Sequence, residues 1–261
     1  MPTKWSRKRL AFLKTSPLIL FLFPTSIAFA QVEVESSSLP TAPLVNEYVS
    51  DQDVIEILML PFKERLMRLK EIKNARDRLK KMAFDGGRNL DVRWRALTAL
   101  GSIGGKSARW EIDEALRSKD WFMRNAGLIA AQHDDHDFAV RWSKALLNDP
   151  ALVVRTQAVK NLIEMKAEAR DLIWNQLFAK NNYHGAGGLW IRGYMAKALA
   201  GWAVQTDQKR FLRLLMDEDT EVQHWAIIGL ERSTGLKLSS PTEPLRIQRQ
   251  KWLSRLSSSQ I

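Results

Sequence analysis

The sequence predicts an all-α fold: an α-solenoid of about five helical hairpins, with a helical cap before it and one helix after it. Three observations carry this. A short phrase returns as Val92-Arg93, Met123-Arg124, Val154-Arg155, Ile191-Arg192 and Val222-Gln223, each time opening an apolar run, and three of its four intervals are identical. The remaining interval, from Arg155 to Arg192, is longer by six. Three residues beyond each marker come Ala96, Gly127, Ala158, Met195 and Ala226, and seven beyond come Leu100, Ala131, Leu162, Leu199 and Leu230. Steps of three, four and seven share one helix face. A second phrase follows each marker at a nearly constant distance, as Trp110, Trp142, Trp174 and Phe211, with apolar pairs such as Leu146-Leu147 and Leu214-Leu215 behind it. Each unit therefore pairs two helices, and Trp110, Trp142 and Trp174 are expected in the core between them.

Taken in order, residues 1–30 read as a secretory signal peptide. They carry Lys4, Arg7, Lys8, Arg9 and Lys14, then a mainly apolar run from 18 to 30 that closes on Ala28-Phe29-Ala30. The run is shorter than the roughly 20 residues that span a bilayer, and Pro24 interrupts it. Cleavage after Ala30 and a periplasmic or secreted location are the expectation. Residues 31–50, with Ser36-Ser37-Ser38, Pro40 and Pro43, hold too little apolar surface to offset ordering and read as a flexible leader. Residues 51–88 are expected to form the cap. Asp51 or Asp53 starts a helix that Pro61 stops, and a second helix runs over 62–84. Phe62, Leu66, Leu69, Ile72, Ala75, Leu79 and Met82 line one side of it, while the other carries nine Lys or Arg against three acids.

The repeat array occupies 89–232. Gly104-Gly105 separates the helices of the first unit, Lys119-Asp120 opens the second, and Asn148-Asp149-Pro150 opens the third. The six extra residues of the long interval fall at 181–188, Asn-Asn-Tyr-His-Gly-Ala-Gly-Gly, expected to protrude as a loop from one edge. Residues 233–261 form a basic tail. There 243–256 reads as an amphipathic helix, with Leu245, Ile247, Trp252 and Leu256 on the apolar side and Arg246, Arg249, Lys251 and Arg255 around it.

On these residues the chain resembles the HEAT-like repeats of bacterial α-solenoids, whose first helix often reads D-x-x-V-R-x-x-A-x-x-A-L-G. The stretch Asn89 to Gly101 carries the match, through Val92-Arg93, Ala96 and Ala99-Leu100-Gly101, and Asp149-Pro150 with Val154-Arg155 and Ala158 repeats it. The resemblance spans about 140 of the 261 residues and implies a right-handed solenoid. It implies no reaction, because such scaffolds serve unrelated tasks. Members similar to the iron-dependent deoxyhypusine hydroxylases carry His-Glu pairs in several units, and this chain has no His-Glu dipeptide. Nothing here marks the pigment site of the phycobilin lyase relatives.

Charge and cysteine content narrow the choice of partners. The chain carries a formal +11, which by itself suggests nucleic acid or an anionic membrane. Its distribution does not: residues 89–231 hold 19 basic and 18 acidic residues, while the first 30 hold five and none, and 232–261 hold six and one. A near-neutral repeat body and an export signal argue against the basic concave surface of DNA-glycosylase solenoids. Cysteine is absent, which excludes disulfides, thiolate metal sites, a cysteine nucleophile and a lipidated cysteine.

The marker residues Arg93, Arg124, Arg155 and Arg192 read as a structural ladder. Their guanidinium groups are expected to bridge acids or carbonyls of the next unit, with Asp91, Asp120 and Asp149 as candidate partners, and Gln223 closes the series where no further unit follows. His133-Asp134-Asp135-His136-Asp137 gathers metal-ligand residue types. The same stretch lies between two helices, where Asp135 can cap the second. The glycine-rich 181–188 segment lacks the Lys-Ser/Thr ending of a phosphate loop and follows no strand. Tyr183 and His184 on that insertion, with Trp190 and Trp121, are the candidate partner-binding residues.

The functional expectation is an exported, non-enzymatic scaffold that binds a protein or peptide in the bacterial envelope through its concave surface and the 181–188 edge, with no cofactor and no nucleic acid. Two alternatives stand beside it. One is an envelope-surface module whose basic helix and tail bind anionic lipid or polymer, and the other is a metal-dependent enzyme using the 133–137 cluster.

Overall fold

The computed structural model describes residues 49–165, 168–185 and 187–257. The expected signal peptide, and the expected leader apart from Val49 and Ser50, lie outside them. Residues 46–261 form one compact unit, and every residue of the described core belongs to it. The fold is all-α, and the strands among the described residues are one two-residue pair.

The cap has three helices where the apolar spacing predicts two. α1 (Asp51–Met59) starts at Ser50, whose hydroxyl accepts from Asp53 N while the Asp53 carboxylate accepts from Ser50 N at 2.7 Å. This is a reciprocal cap, with Asp53 as its second half instead of the capping residue itself. α2 (Phe62–Glu71) and α3 (Ala75–Phe84) replace the continuous helix expected over 62–84. Asn74, at φ +61°, makes the break. Asparagine tolerates the left-handed region, and Leu69, Ile72, Ala75 and Leu79 stay buried across the turn, so the apolar period passes through it unbroken.

The repeats then follow as helical hairpins: α4 (Leu90–Gly104) with α5 (Arg109–Leu116), α6 (Trp121–Ala131) with α7 (His136–Ala145), α8 (Leu152–Glu164) with α9 (Arg170–Leu177), and α10 (Ile191–Gly201) with α11 (Gln208–Leu214). α12 (Thr220–Thr234) opens the fifth unit, and α13 (Leu245–Ser257) packs against it through the buried Trp252 and Gln248. Pro150, expected in the first turn of α8, lies before that helix, whose N-cap is Ala151.

First helices stack on first helices: α4 on α6, α6 on α8, and α10 on α12. Each second helix closes against the first helix of the next unit, as α5 does on α6 and α7 on α8. All ten residues three and seven positions beyond the markers are buried. Small side chains permit this closeness. At Gly101 a Cβ atom would stand only 2.5 Å from the Cβ of Ala130 on α6.

The second phrase needs correction. Trp110 is 78% exposed and Trp142 half-buried, while Trp174 and Phe211 are buried. Trp174 and Phe211 stand at the same distance from their markers, and the equivalent positions of the first two units are Ile112 and Ser143, which are buried as well. Trp110, two positions short of that register, is rotated by about 200° from it on a 3.6-residue helix. The extra residues at 181–188 form β1 (Tyr183–His184) and β2 (Gly187–Gly188), an antiparallel pair with Tyr183 opposite Gly188, instead of an irregular loop.

Candidate functional site

The marker residues tie successive inter-unit turns together. Arg124 donates to the Asp149 carboxylate through Nε and Nη2 at 2.6 and 2.9 Å, and through Nη1 to the carbonyls of Ser118 and Lys119 in the turn before its helix. Arg155 repeats the pattern with neutral oxygens: the Asp149 and Pro150 carbonyls behind it, and Asn182 Oδ1 and the Asn181 carbonyl ahead. Arg192 donates to the Leu177 carbonyl behind and to both Asp217 carboxylate oxygens ahead. Gln223 reaches back to the Asp217 carbonyl. Asp149 and Asp217 therefore each join two markers, one through the side chain and one through the backbone.

Arg93 differs, donating to the Ala83 carbonyl and lying over the Phe122 ring. The Asp91 side chain turns to Arg95 on its own helix, and no side-chain bond joins Asp120 to a marker among the described residues. Burial raises the Asp217 carboxyl, but Arg192 and the Asp219 amide outweigh it and hold the group below the usual carboxylate range. Burial lowers Arg155, a marker that bonds no carboxylate oxygen.

Beside this ladder the first helices are linked laterally by side chains. Trp94 Nε1 donates to Asn125 Oδ1 at 3.0 Å and Asn125 passes the link to the Val153 carbonyl at 3.3 Å. Lower down, Ser102 Oγ meets His133 Nε2 at 3.0 Å, Gln132 donates to Asn161 and Glu164, and Asn161 donates to the Leu128 carbonyl. These relays run from α4 through α6 to α8. Asparagines inside apolar helices, Asn125 and Asn161, were the available sequence signal, because a buried amide needs partners.

Each first helix of the first four units exposes a large apolar residue in or just before its first turn. Leu90 on α4, Trp121 on α6, Val153 on α8 and Trp190 before α10 are 42% to 59% exposed. They stand three positions before the marker in the first two units and two before it in the next two, a discontinuous apolar ledge at the starts of the first helices.

The four candidate partner-binding residues do not converge. Trp121 and Trp190 belong to the ledge with α8 between their helices, and His184 is exposed on the strand pair. Tyr183 is half-buried under the Arg192 guanidinium, 4.2 Å from its ring centre, and serves the ladder. Asn182, wholly buried, anchors the insertion by accepting from Arg155 and donating to the Gln176 carbonyl.

The 133–137 cluster is engaged differently from a ligand set. Arg109 binds both the Asp134 and Asp135 carboxylates, Asp135 also caps α7 by accepting from Phe138 N at 2.8 Å, and His133 faces Ser102. The Arg109 hydrogen bond is the main reason Asp134 sits below the usual carboxylate range. Among the described residues, no group of three or more metal-ligand side chains stands together, and no helix is long and apolar enough to cross a membrane.

No family model matches the sequence, and comparison with curated proteins gives no match. Among solved structures, the chain is similar to an engineered protein at 18% identity and a TM-score of 0.42, over 71% of this chain and 89% of that one.

Proposed function

We propose that this protein is a non-enzymatic, right-handed helical-repeat scaffold, exported to the bacterial envelope, that binds an extended segment of a partner protein along the ledge of its first helices. The observation that carries the reading is a large apolar residue left exposed near the start of each of the first four first helices, at Leu90, Trp121, Val153 and Trp190. Packed helices stand about 8–10 Å apart, and an extended strand rises about 3.3 Å per residue. An apolar residue at every third position of the partner would therefore meet the steps on α4, α6 and α8, and the step to α10, where the helices barely touch, needs its own spacing. Tryptophan supplies much of the energy at interfaces because it removes a large area from water at small entropic cost. The near-neutral array gives such contact little dependence on salt.

The test places a photo-crosslinking side chain at 121, at 190 and, as a control, at Lys209, each in intact cells. One common protein captured from 121 and 190 but not from 209, and retained by wild type in about 0.5 M salt, supports the scaffold. Capture profiles that do not differ between the ledge and 209 end it.

A further inference from the structure

We propose that α2 seats the protein on an anionic lipid surface. The helix packs on α1 and α4, with Arg65 and Leu69 buried, and the rest of its surface makes no comparable helix contact among the described residues. Phe62, Leu66, Lys70, Lys63 and Met67 occupy one continuous arc of about 140° that starts beside the buried Leu69 and ends before Glu71, at 100° per residue. The arc contains no acid. Phe62 is 53% exposed and Met67 67%, with Leu66 half-buried beside them and both lysines exposed. Lys63, Lys70 and the following Lys73 make no ion pair among the described residues, whereas Arg68, on the opposite side of the helix, is within 3.6 Å of Glu64.

Three apolar side chains interleaved with unpaired ammonium groups fit one occupant better than a folded protein patch. Apolar tips enter the boundary between headgroups and acyl chains, while long lysine stems lay their charges among anionic headgroups. Over residues 62–81 the chain carries nine basic and three acidic residues, so the field behind the arc has the same sign. A neutral partner would leave these ammonium groups uncompensated. The lipid seat lies on the cap and is separate from the ledge, so it stands or falls independently of the scaffold reading.

The test uses the compact unit 46–261, free of the apolar stretch in residues 18–30, with vesicles of phosphatidylcholine alone or mixed with phosphatidylglycerol. Binding should require phosphatidylglycerol and fall steeply between about 0.1 and 0.5 M salt. Lys63→Gln with Lys70→Gln should weaken it roughly 25-fold, at about fivefold per lysine near an anionic surface. Phe62→Ser with Met67→Ser should weaken it at least several-fold, while Lys106→Gln with Lys209→Gln, of equal charge change elsewhere, should leave it within about twofold. These exposed positions keep the helix, checked by circular dichroism. If the first pair unfolds α2, the serine pair decides alone. Equal binding to phosphatidylcholine, an equal loss in both glutamine pairs, or full retention in the serine pair would overturn the seat. Inorganic phosphate that displaces the protein at millimolar concentration would also overturn it, in favour of a simple anion site.

Discussion

The repeat array has two halves that meet at the long interval, and they are held together differently from within. Between α4, α6 and α8, and again between α10 and α12, first helices lie against each other and are cross-linked by side chains. Where α8 meets α10 the contact is slight, and among the described residues no side-chain hydrogen bond joins the two helices. The load moves to the second helices, where Trp174 packs edge-on against Phe211 at 4.9 Å and Arg210 bonds Asp171 at 2.7 Å, and to Arg155, which reaches across to Asn181 and Asn182. Six extra residues have therefore exchanged direct helix packing for a bridge built on one buried guanidinium. A repeat array can lengthen one interval without losing continuity, provided that a side chain of the ladder spans the gap.

Removing that bridge gives the largest expected effect. Arg155→Ala leaves Asn182 Oδ1 and three backbone carbonyls without their donor in a buried setting, a loss of about 3 kcal/mol or more. Because units of such an array are stabilised by their neighbours, the halves should then unfold in separate transitions. Urea unfolding followed by tryptophan fluorescence and by hydrogen exchange would show two midpoints. A single, unshifted transition would mean that the second helices carry the seam alone.

Beyond the seam the next rung, Arg192 with Asp217, is held by charge, and acid should distinguish it from the Arg155 bridge. Asp217 has its folded-state pKa depressed by Arg192 against the opposing effect of burial. Its unfolded value is about 3.9, so its contribution is present above that pH and is lost as pH falls through the lower folded value. Asp217→Asn should cost about 2 kcal/mol near neutrality, since Arg192 remains buried without a countercharge, and should flatten the loss of stability below about pH 4. Arg155→Ala should keep the acid-dependent loss, because Arg155 bonds only neutral oxygens. Equal acid profiles for wild type and Asp217→Asn would show that the pair contributes nothing.

Within the first half, close packing sets the next effect. Gly101→Ala gains about 1 kcal/mol of helix propensity, yet its new methyl would stand 2.5 Å from Ala130 Cβ and 2.6 Å from Ala130 Cα. Backbone cannot swing aside as a flexible side chain can, so overpacking wins and a net loss of about 1 to 2 kcal/mol is expected. Gly201, on the other side of the seam, meets nothing closer than 3.8 Å, and the same change there should be neutral or mildly stabilising. Thermal melts of both variants test the pair.

These contrasts also show how much was legible in advance. The marker phrase gave the stacked helices, because burial repeats with the helix period and all ten small or apolar positions obey it. The second helices were misplaced by up to two positions because tryptophan was followed as the landmark. Their buried register holds Ile112 and Ser143 before it holds Trp174 and Phe211, and a position occupied by four dissimilar residues leaves no phrase to follow. Asp217 was missed for a different reason. It lies as far beyond Arg192 as Asp149 lies beyond Arg124, but Ser118 and Lys180 stand at that distance from Arg93 and Arg155, so the pairing has no constant spelling. The turn at Asn74 was hidden by an apolar period that continues across it. The ledge was half visible: Trp121 and Trp190 were singled out, whereas Leu90 and Val153 joined them only once the helices were stacked.

The smallest expected change in stability carries the most information about function. Trp121 and Trp190 lie on opposite sides of the seam, each more than half exposed, so Trp121→Ser and Trp190→Ser, alone or together, should alter unfolding by no more than about 0.5 kcal/mol. If the ledge binds one extended segment, the double variant should weaken capture by roughly 30-fold or more, as the loss of a buried anchor does at other interfaces. Each single change should cost less than that, and the two should combine more than additively, because a segment held at one end keeps a high local concentration at the other. Losses confined to Trp121 would place the site in the first half, where the lateral relays fix the helices. Losses confined to Trp190 would place it beside the insertion. Either outcome would break the ledge into two surfaces, and the seam between α8 and α10 would then mark the edge of a site where the continuous ledge had placed its middle.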